Sequence, residues 1–249
     1  MTKHEVRRVR QEITRRAVQV VSKQYLTPRM LRVVFHSDEL KGFSSPSPDD
    51  HVKIFLPVSG TSEPVARDFT PRAWDVEAGT IVLDFALHPQ GPAAEWARSA
   101  EVGGMLEIGG PRGSTIVPDD FDWYLLVGDA TALPSIGRRL EELRRGVPVQ
   151  VLALVQDDTE KLELASAAAC RIEWVESSGD LRQEVEILIA ATHRLELPAG
   201  DGFIWIAAEA SVARDFYRYV IDVLKHPKDW VKAAGYWCAG KADAGHRIS

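Results

Sequence analysis

The sequence predicts two architectures in series: a small antiparallel β-barrel over residues 1–119, then a parallel-sheet α/β domain over residues 120–249. Two observations carry this. The first half breaks into short stretches of period-two alternation separated by Gly and Pro turns, the habit of small all-β folds. The second half alternates continuous apolar runs with segments of helical spacing, the habit of βαβ units. The change of character falls near Pro118 to Asp122.

An apolar stretch starts the barrel at Val18 to Val21, and Thr27 to Met30 reads as a turn before a second strand, Leu31 to Phe35. SSPSPDD is a loop by composition, and His51 to Leu56 then alternates polar and apolar residues. In the next strand Ile81, Leu83, Phe85 and Leu87 share one face and Val82, Asp84, Ala86 and His88 the other. A short helix is expected around Ala93 to Ala100. Met105 to Ile108 forms a last short strand, closed by GGPRGS.

In the second half, Tyr124 to Gly128 is continuously apolar, as a buried parallel strand requires. Leu133, Ile136, Leu140 and Leu143 follow at helical spacing. Strands are expected at Val149–Val155, Ile172–Val175 and Phe203–Ala208, with helices over Glu184–Ala191 and Arg214–Leu224. Open α/β sheets bind ligands beyond the carboxyl ends of their strands. That rule singles out Gly128-Asp129-Ala130-Thr131 and Ala208-Glu209-Ala210-Ser211, although neither carries the G-x-G-x-x-G fingerprint. Thr131 also reads as a helix N-cap.

Composition narrows the function classes. At 45% hydrophobic and 27% charged residues the chain reads as a soluble globular protein. No uncharged apolar run is long enough to span a membrane, so no membrane segment is expected. MTKHEVRRVRQEITRR lacks the apolar core of a signal peptide and reads as an exposed arm. Only Cys170 and Cys238 occur, so no disulfide framework is indicated and a cytoplasmic setting is expected. A net charge of -6 argues against nucleic acid as a partner. The seven histidines are scattered, and no Cys or His pair has zinc-site spacing, so no metal site is expected. Neither a G-x-S-x-G elbow nor a P-loop is present. Oligomeric state is left open, a monomer included.

One segment asks for an explanation: RDFTPR sets Arg67 and Arg72 on either side of Phe69-Thr70. It resembles the R-x-Y-T-x-R flavin motif of siderophore-interacting proteins, FAD-dependent ferric-siderophore reductases of the ferredoxin–NADP reductase superfamily. Further segments resemble that family in order: LTPRMLRV, LHPQGPAAEWA, GGPRGS, GDATALPSIGRRLEEL, WIAAEASVAR and GYWCAG, from about Leu26 to Gly240. The resemblance implies a barrel that holds FAD and an α/β domain that docks NADPH or NADH. Electrons would pass from NAD(P)H through FAD to Fe(III) held by a siderophore, releasing Fe(II).

The resemblance also assigns residues. Arg67 would meet the FAD phosphates, Phe69 the isoalloxazine face and Thr70 its polar edge. The chemistry suits them: a guanidinium forks onto phosphate, an aromatic ring offers a flat apolar neighbour, and a hydroxyl donates or accepts. His88 and the turn Gly91, Pro92, Ala93 and Ala94 would complete the FAD site, since free N–H groups at a helix start can cradle phosphate. Asp129, Thr131, Glu209 and Ser211 would face the nicotinamide nucleotide. An anionic ferric siderophore calls for nearby positive charge, and Lys53, Arg72, Lys241 and Arg247 are candidates beside Trp237. No general acid or base is required of the protein. The sequence departs from the family where Phe69 replaces Tyr, Ala94 replaces Ser, and Cys238-Ala239 replaces basic residues after Tyr-Trp. Two alternatives stay open: a reductase of the same superfamily with another acceptor, and a flavin- or siderophore-binding module without turnover.

Overall fold

The computed structural model describes residues 4–57, 60, 63–88, 91–240 and 246–248. It divides into two compact units, Met1–Pro118 and Asp119–Ser249. The first holds β1 (Arg7–Arg10), β2 (Arg15–Thr27), β3 (Met30–His36), β4 (Val52–Leu56), β5 (Val65–Phe69), β6 (Pro71–Asp75), β7 (Thr80–Ala86), helix α1 (Pro92–Ser99), β8 (Met105–Gly109) and β9 (Gly113–Ile116). Seven of these strands form an antiparallel sheet in the order β5-β4-β8-β2-β3-β7-β6.

That order forces the sheet to curl. Its two edges are β5 and β6, yet only Thr70 separates them in sequence. Seven flat strands at about 4.8 Å spacing would hold the edges about 29 Å apart, whereas two Cα steps reach at most about 7 Å. The sheet therefore bends until its edges meet at Thr70, giving an antiparallel half-barrel where the alternating strands predict a small antiparallel barrel. Ile81, Leu83 and Phe85, on one face as their spacing requires, join Val33, Phe35, Val52 and Ile54 in its core. Pro71 sits at the start of edge strand β6, where its missing N–H breaks no central ladder.

The N-terminal arm differs from expectation. Its residues 7–10 are exposed but ordered into a strand, with β1 pairing to β9 and Arg8 opposite Thr115. A partner more than a hundred residues away leaves no local signal. The SSPSPDD loop is likewise pinned at long range, because buried Asp50 Oδ2 accepts from Ser47 N at 3.0 Å and Ser114 Oγ at 2.7 Å.

The second unit holds β10 (Trp123–Gly128), α2 (Leu133–Glu142), β11 (Pro148–Val155), β12 (Ala169–Glu176), α3 (Leu181–Arg194), β13 (Gly202–Glu209), α4 (Ala210–Asp222), β14 (Val231–Trp237) and β15 (His246–Arg247). The strands lie in the order β12-β11-β10-β13-β14-β15, parallel throughout except for β15. The chain winds outward from β10 to one side, then returns to the other at β13. The order reverses between β10 and β13, and the crevice outside their carboxyl ends is where such sheets take ligands.

Two helices start earlier than their apolar spacing suggests. α3 begins at Leu181 because Asp180 caps it, accepting from Arg182 N and Gln183 N. α4 begins directly after β13, because Glu209 supplies the cap from within the strand's last residue. Gly235 permits the close start of α4, and Gly128 the close approach of β10 to the start of α2 and to β13. A Cβ on Gly128 would lie 2.5 Å from Ala132 Cβ and 2.8 Å from Ala207 O, and one on Gly235 would lie 2.7 Å from Ala210 Cβ.

Candidate functional site

Two constellations emerge, one in each unit. In the first, the edges of the curled sheet converge on Arg67, Phe69 and Thr70. β5 pairs with β4 so that Arg67 lies opposite Ile54 and Phe69 opposite Val52. Arg67 Nη1 donates to its neighbour's carbonyl, Ala66 O, at 2.7 Å. Phe69 is half-buried and lies 4.4 Å from Phe85, centroid to centroid, with the rings tilted by 41°. Thr70 is buried.

α1 begins at the end of β7. Gly91 is its N-cap, with φ +132°, and no side chain caps the first turn. Pro92 occupies the first helical position, where its missing N–H costs nothing. Among the described residues no side chain caps the N–H groups of Ala93 and Ala94, while Glu95 Oε1 accepts from Gly91 N at 3.4 Å. A Cβ on Gly91 would meet no described residue within 4 Å. His88 is exposed, and its carbonyl accepts from Arg98 at 2.7 Å.

Two of the expected cations are engaged. Lys53 pairs with Asp68, the residue opposite it across β4 and β5, at 3.0 Å. Arg72, expected as a cation for the anionic siderophore, is turned inward: its side chain is only 13% exposed, with Nε 3.9 Å from Asp84 Oδ2. Asp84 also takes a two-pronged contact from Arg32, 2.7 Å at each oxygen. The cause is placement, since Arg32 lies opposite Asp84 across β3 and β7 while β6 brings Arg72 alongside. Lys241 lies outside the described residues, as does the side chain of Arg247.

The second constellation lies at the carboxyl ends of β10 and β13 and gathers Asp129, Thr131, Glu209, Ser211 and Trp237. Asp129 Oδ1 accepts from Thr131 N at 2.9 Å and Thr131 Oγ1 at 2.5 Å. Asp129 Oδ2 accepts from Glu209 N at 3.0 Å and from Trp237 Nε1 at 2.8 Å. Thr131 is thus not the α2 N-cap. That position belongs to Ala132, because the hydroxyl of Thr131 is drawn back to Asp129.

Glu209 is 3% exposed. Its Oε2 accepts from Ser211 N at 2.6 Å, from the Ser211 hydroxyl and from Val212 N at 3.2 Å, and its Oε1 accepts from Ala239 N at 3.2 Å. Burial alone would raise its pKa. The bonds from Ser211, Ala239 and Val212 outweigh burial and hold the carboxyl below its ordinary range.

Sequence reasoning treated Trp237 as a substrate-side residue and did not link it to Asp129. It also missed the bond between Ser135 and Tyr236, 2.9 Å between hydroxyls. Both link β14 to elements a hundred residues earlier. Among the described residues no three His, Cys, Asp or Glu side chains cluster to hold a metal ion. Nor is any described helix long and apolar enough to cross a membrane.

Residues 121–240 match the family model Siderophore-interacting protein, and residues 19–65 and 58–115 match the model Siderophore-interacting FAD-binding domain. The chain belongs to the siderophore-interacting protein family. It is 32% identical to the NADPH-dependent ferric-chelate reductase of Escherichia coli, over 93% of this chain and 96% of that one. It is 25% identical to the ferric vibriobactin reductase ViuB of Vibrio cholerae, over 91% and 90%. A siderophore utilization protein from T. fusca superposes with a TM-score of 0.89 at 29% identity, covering 96% of this chain and 98% of the other. As a siderophore-interacting protein with the matching FAD-binding domain, the chain carries RDFTPR where its curled sheet closes.

Proposed function

We propose that this siderophore-interacting protein is an FAD-dependent ferric-siderophore reductase driven by NADPH, which reduces siderophore-held Fe(III) so that iron leaves as Fe(II). The observation that carries the reading is the junction of β5 and β6. There the sheet closure sets a guanidinium, an aromatic face and a hydroxyl within four residues, in a unit matched by the FAD-binding model. The relatives named as ferric reductases support the activity and the donor.

The residues fit the cofactor. Among the described residues the first turn of α1 has no side-chain cap for its Ala93 and Ala94 N–H groups and nothing within 4 Å of a Cβ on Gly91, which suits phosphate. Arg67 adds a fork of charge-assisted donors. Phe69 offers an apolar face, braced from behind by Phe85. Thr70 brings a hydroxyl with two acceptor lone pairs and one proton to the ring's polar edge. Bound FAD would supply the exchange between hydride and single-electron transfer. Asp129 and Glu209 hold the carboxyl ends of β10 and β13 in one shape, and Trp237 is fixed beside them for the donor. Lys53 offers charge to an anionic iron complex. Fe(II) then dissociates because hard anionic oxygen donors hold it less strongly than Fe(III). The reading places the protein in the cytoplasm, where the free thiols of Cys170 and Cys238 stay reduced.

The test is spectroscopic. Purified protein should be yellow, release FAD on extraction, bleach on anaerobic addition of NADPH, and recolour when a ferric siderophore is added with a ferrous trap present. Recovery of FMN, or bleaching that a ferric siderophore cannot reverse, overturns it.

A further inference from the structure

We propose that Trp96 is a positioning residue that couples the two ends of the cofactor site, the phosphate-facing first turn of α1 and the ring-facing side chain of Phe69. The inference rests on the FAD reading above. Its basis is a continuous chain of aromatic side chains. Phe69 lies 4.4 Å from Phe85, and Phe85 lies 5.6 Å from Trp96 at a tilt of 33°. Trp96 in turn lies parallel to Phe35 within 14°, at 6.0 Å. Phe35 and Phe85 are at most 1% exposed, while Phe69 and Trp96, flanking Phe85, are each half-buried. One fully buried ring therefore links two partly exposed ones.

The helix makes the link mechanical. Ala93, Trp96 and Ala97 stand at positions i, i+3 and i+4, so they share one stripe of α1, packed against the core. Trp96 is thus rigidly tied to the turn whose N–H groups face phosphate. The far end of α1 is clamped, because Lys23 Nζ donates to Ala100 O at 2.6 Å and to Arg98 O at 3.1 Å. The first turn is held by local bonds only, Gly91 N donating to Glu95 Oε1 at 3.4 Å and Glu95 N to Gly91 O at 3.0 Å. A roll of that turn moves the indole. Phe85 is buried in the core cluster and touches both rings, so movement of the indole is passed on to Phe69. Occupying the phosphate end should then set the Phe69 ring for the flavin. By linkage the effect runs equally in reverse.

The two halves of FAD test this directly. Apoprotein is titrated with FMN, with and without saturating AMP, and with FAD. Saturating AMP should tighten FMN binding about three- to tenfold, the range that one or two aromatic pair contacts supply. In Trp96→Ala the enhancement should fall below twofold, while Trp96→Phe should retain most of it. Phe85→Leu should also lose it, which separates a relay from direct contact between the indole and the cofactor. Thermal melts and intact FAD binding by Trp96→Phe guard against simple misfolding. Independent binding of FMN and AMP to the wild type, or full enhancement surviving in Trp96→Ala or Phe85→Leu, overturns the relay while leaving the FAD reading intact. Failure of FAD itself to bind overturns both.

Discussion

The first turns of α1 and α4 are the same device put to opposite use. α1 opens with Gly91, and no described side chain caps the N–H groups of Ala93 and Ala94. α4 opens with Glu209, whose carboxylate takes Ser211 N and Val212 N and whose second oxygen takes Ala239 N. Both carry the partial positive charge of a helix N-terminus. The second neutralises that charge with a buried carboxylate, whereas no described side chain caps the Ala93 and Ala94 N–H groups of the first. The surroundings agree. Arg67 stands in the unit of the open turn, whereas the closed turn adjoins a second carboxylate, Asp129, which accepts from Thr131, Glu209 and Trp237. A helix start thus says little about phosphate until its cap is known.

The largest effect that sharpens this contrast concerns charge held for structure. Asp84→Ala would leave Arg32 and Arg72 facing each other without their shared carboxylate, and loss of one member of a buried ion pair costs about 3–5 kcal/mol. Arg32 is the more solvated partner, so a value near the low end is expected from urea unfolding of the apoprotein. Next comes Arg67→Ala, which should weaken FAD binding by about 1.5–3 kcal/mol, roughly ten- to a hundredfold, with little change in melting temperature. Arg72→Ala should do the reverse, lowering stability more than FAD affinity. Equal affinity losses in the two variants, by titration of the apoproteins, would erase the distinction between an open and a committed arginine.

The closed turn gives the third prediction. Glu209→Ala removes the α4 cap and should cost about 1–2 kcal/mol of stability without increasing affinity for phosphate-bearing ligands. The pH dependence follows from the depressed carboxyl. Its stabilisation is fully present above the unfolded value of about 4.3 and is lost as pH falls through the lower folded value. The stability gap between wild type and Glu209→Gln should therefore be widest at neutral pH and close below about pH 4, as unfolding curves across that range will show. The smallest effect belongs to Lys53. Its exposed pair with Asp68 is worth about 0.2–1 kcal/mol, so Lys53→Ala should barely move the melting temperature. The apparent KM for a ferric siderophore should rise a few-fold at low salt, and the rise should vanish as salt screens the charge.

Much of this was readable in advance because local pattern dictates it. The spacing of Ile81, Leu83 and Phe85 fixes a core face, and the unbroken run from Tyr124 to Val127 can only be a strand covered on both sides. The residues of each candidate site were also readable, since RDFTPR and the two strand ends are contiguous segments. What sequence did not show is what those residues touch. Arg72 reads as a cation for an anionic substrate because Asp84 is twelve positions away and meets it only across two strands. Thr131 reads as a cap because nothing local says that Asp129 will claim its hydroxyl. The starts of α3 and α4 were placed too late because apolar spacing was weighed above the capping carboxylates of Asp180 and Glu209. β1 was not expected as a strand, since its partner β9 is set by closure of the chain and not by its own residues.

The closure at Thr70 has one more consequence. A curved sheet that stops short of a full barrel exposes two strand edges, and a bare edge invites another chain to add itself. Here both edges end at the same residue and both are blunted. β6 opens with Pro71, which has no N–H to lend, and β5 carries the charges of Arg67 and Asp68. Each edge strand is only five residues long. The segment proposed to present a guanidinium, a ring and a hydroxyl to FAD is thus also the guard against aggregation through the seam of its own sheet.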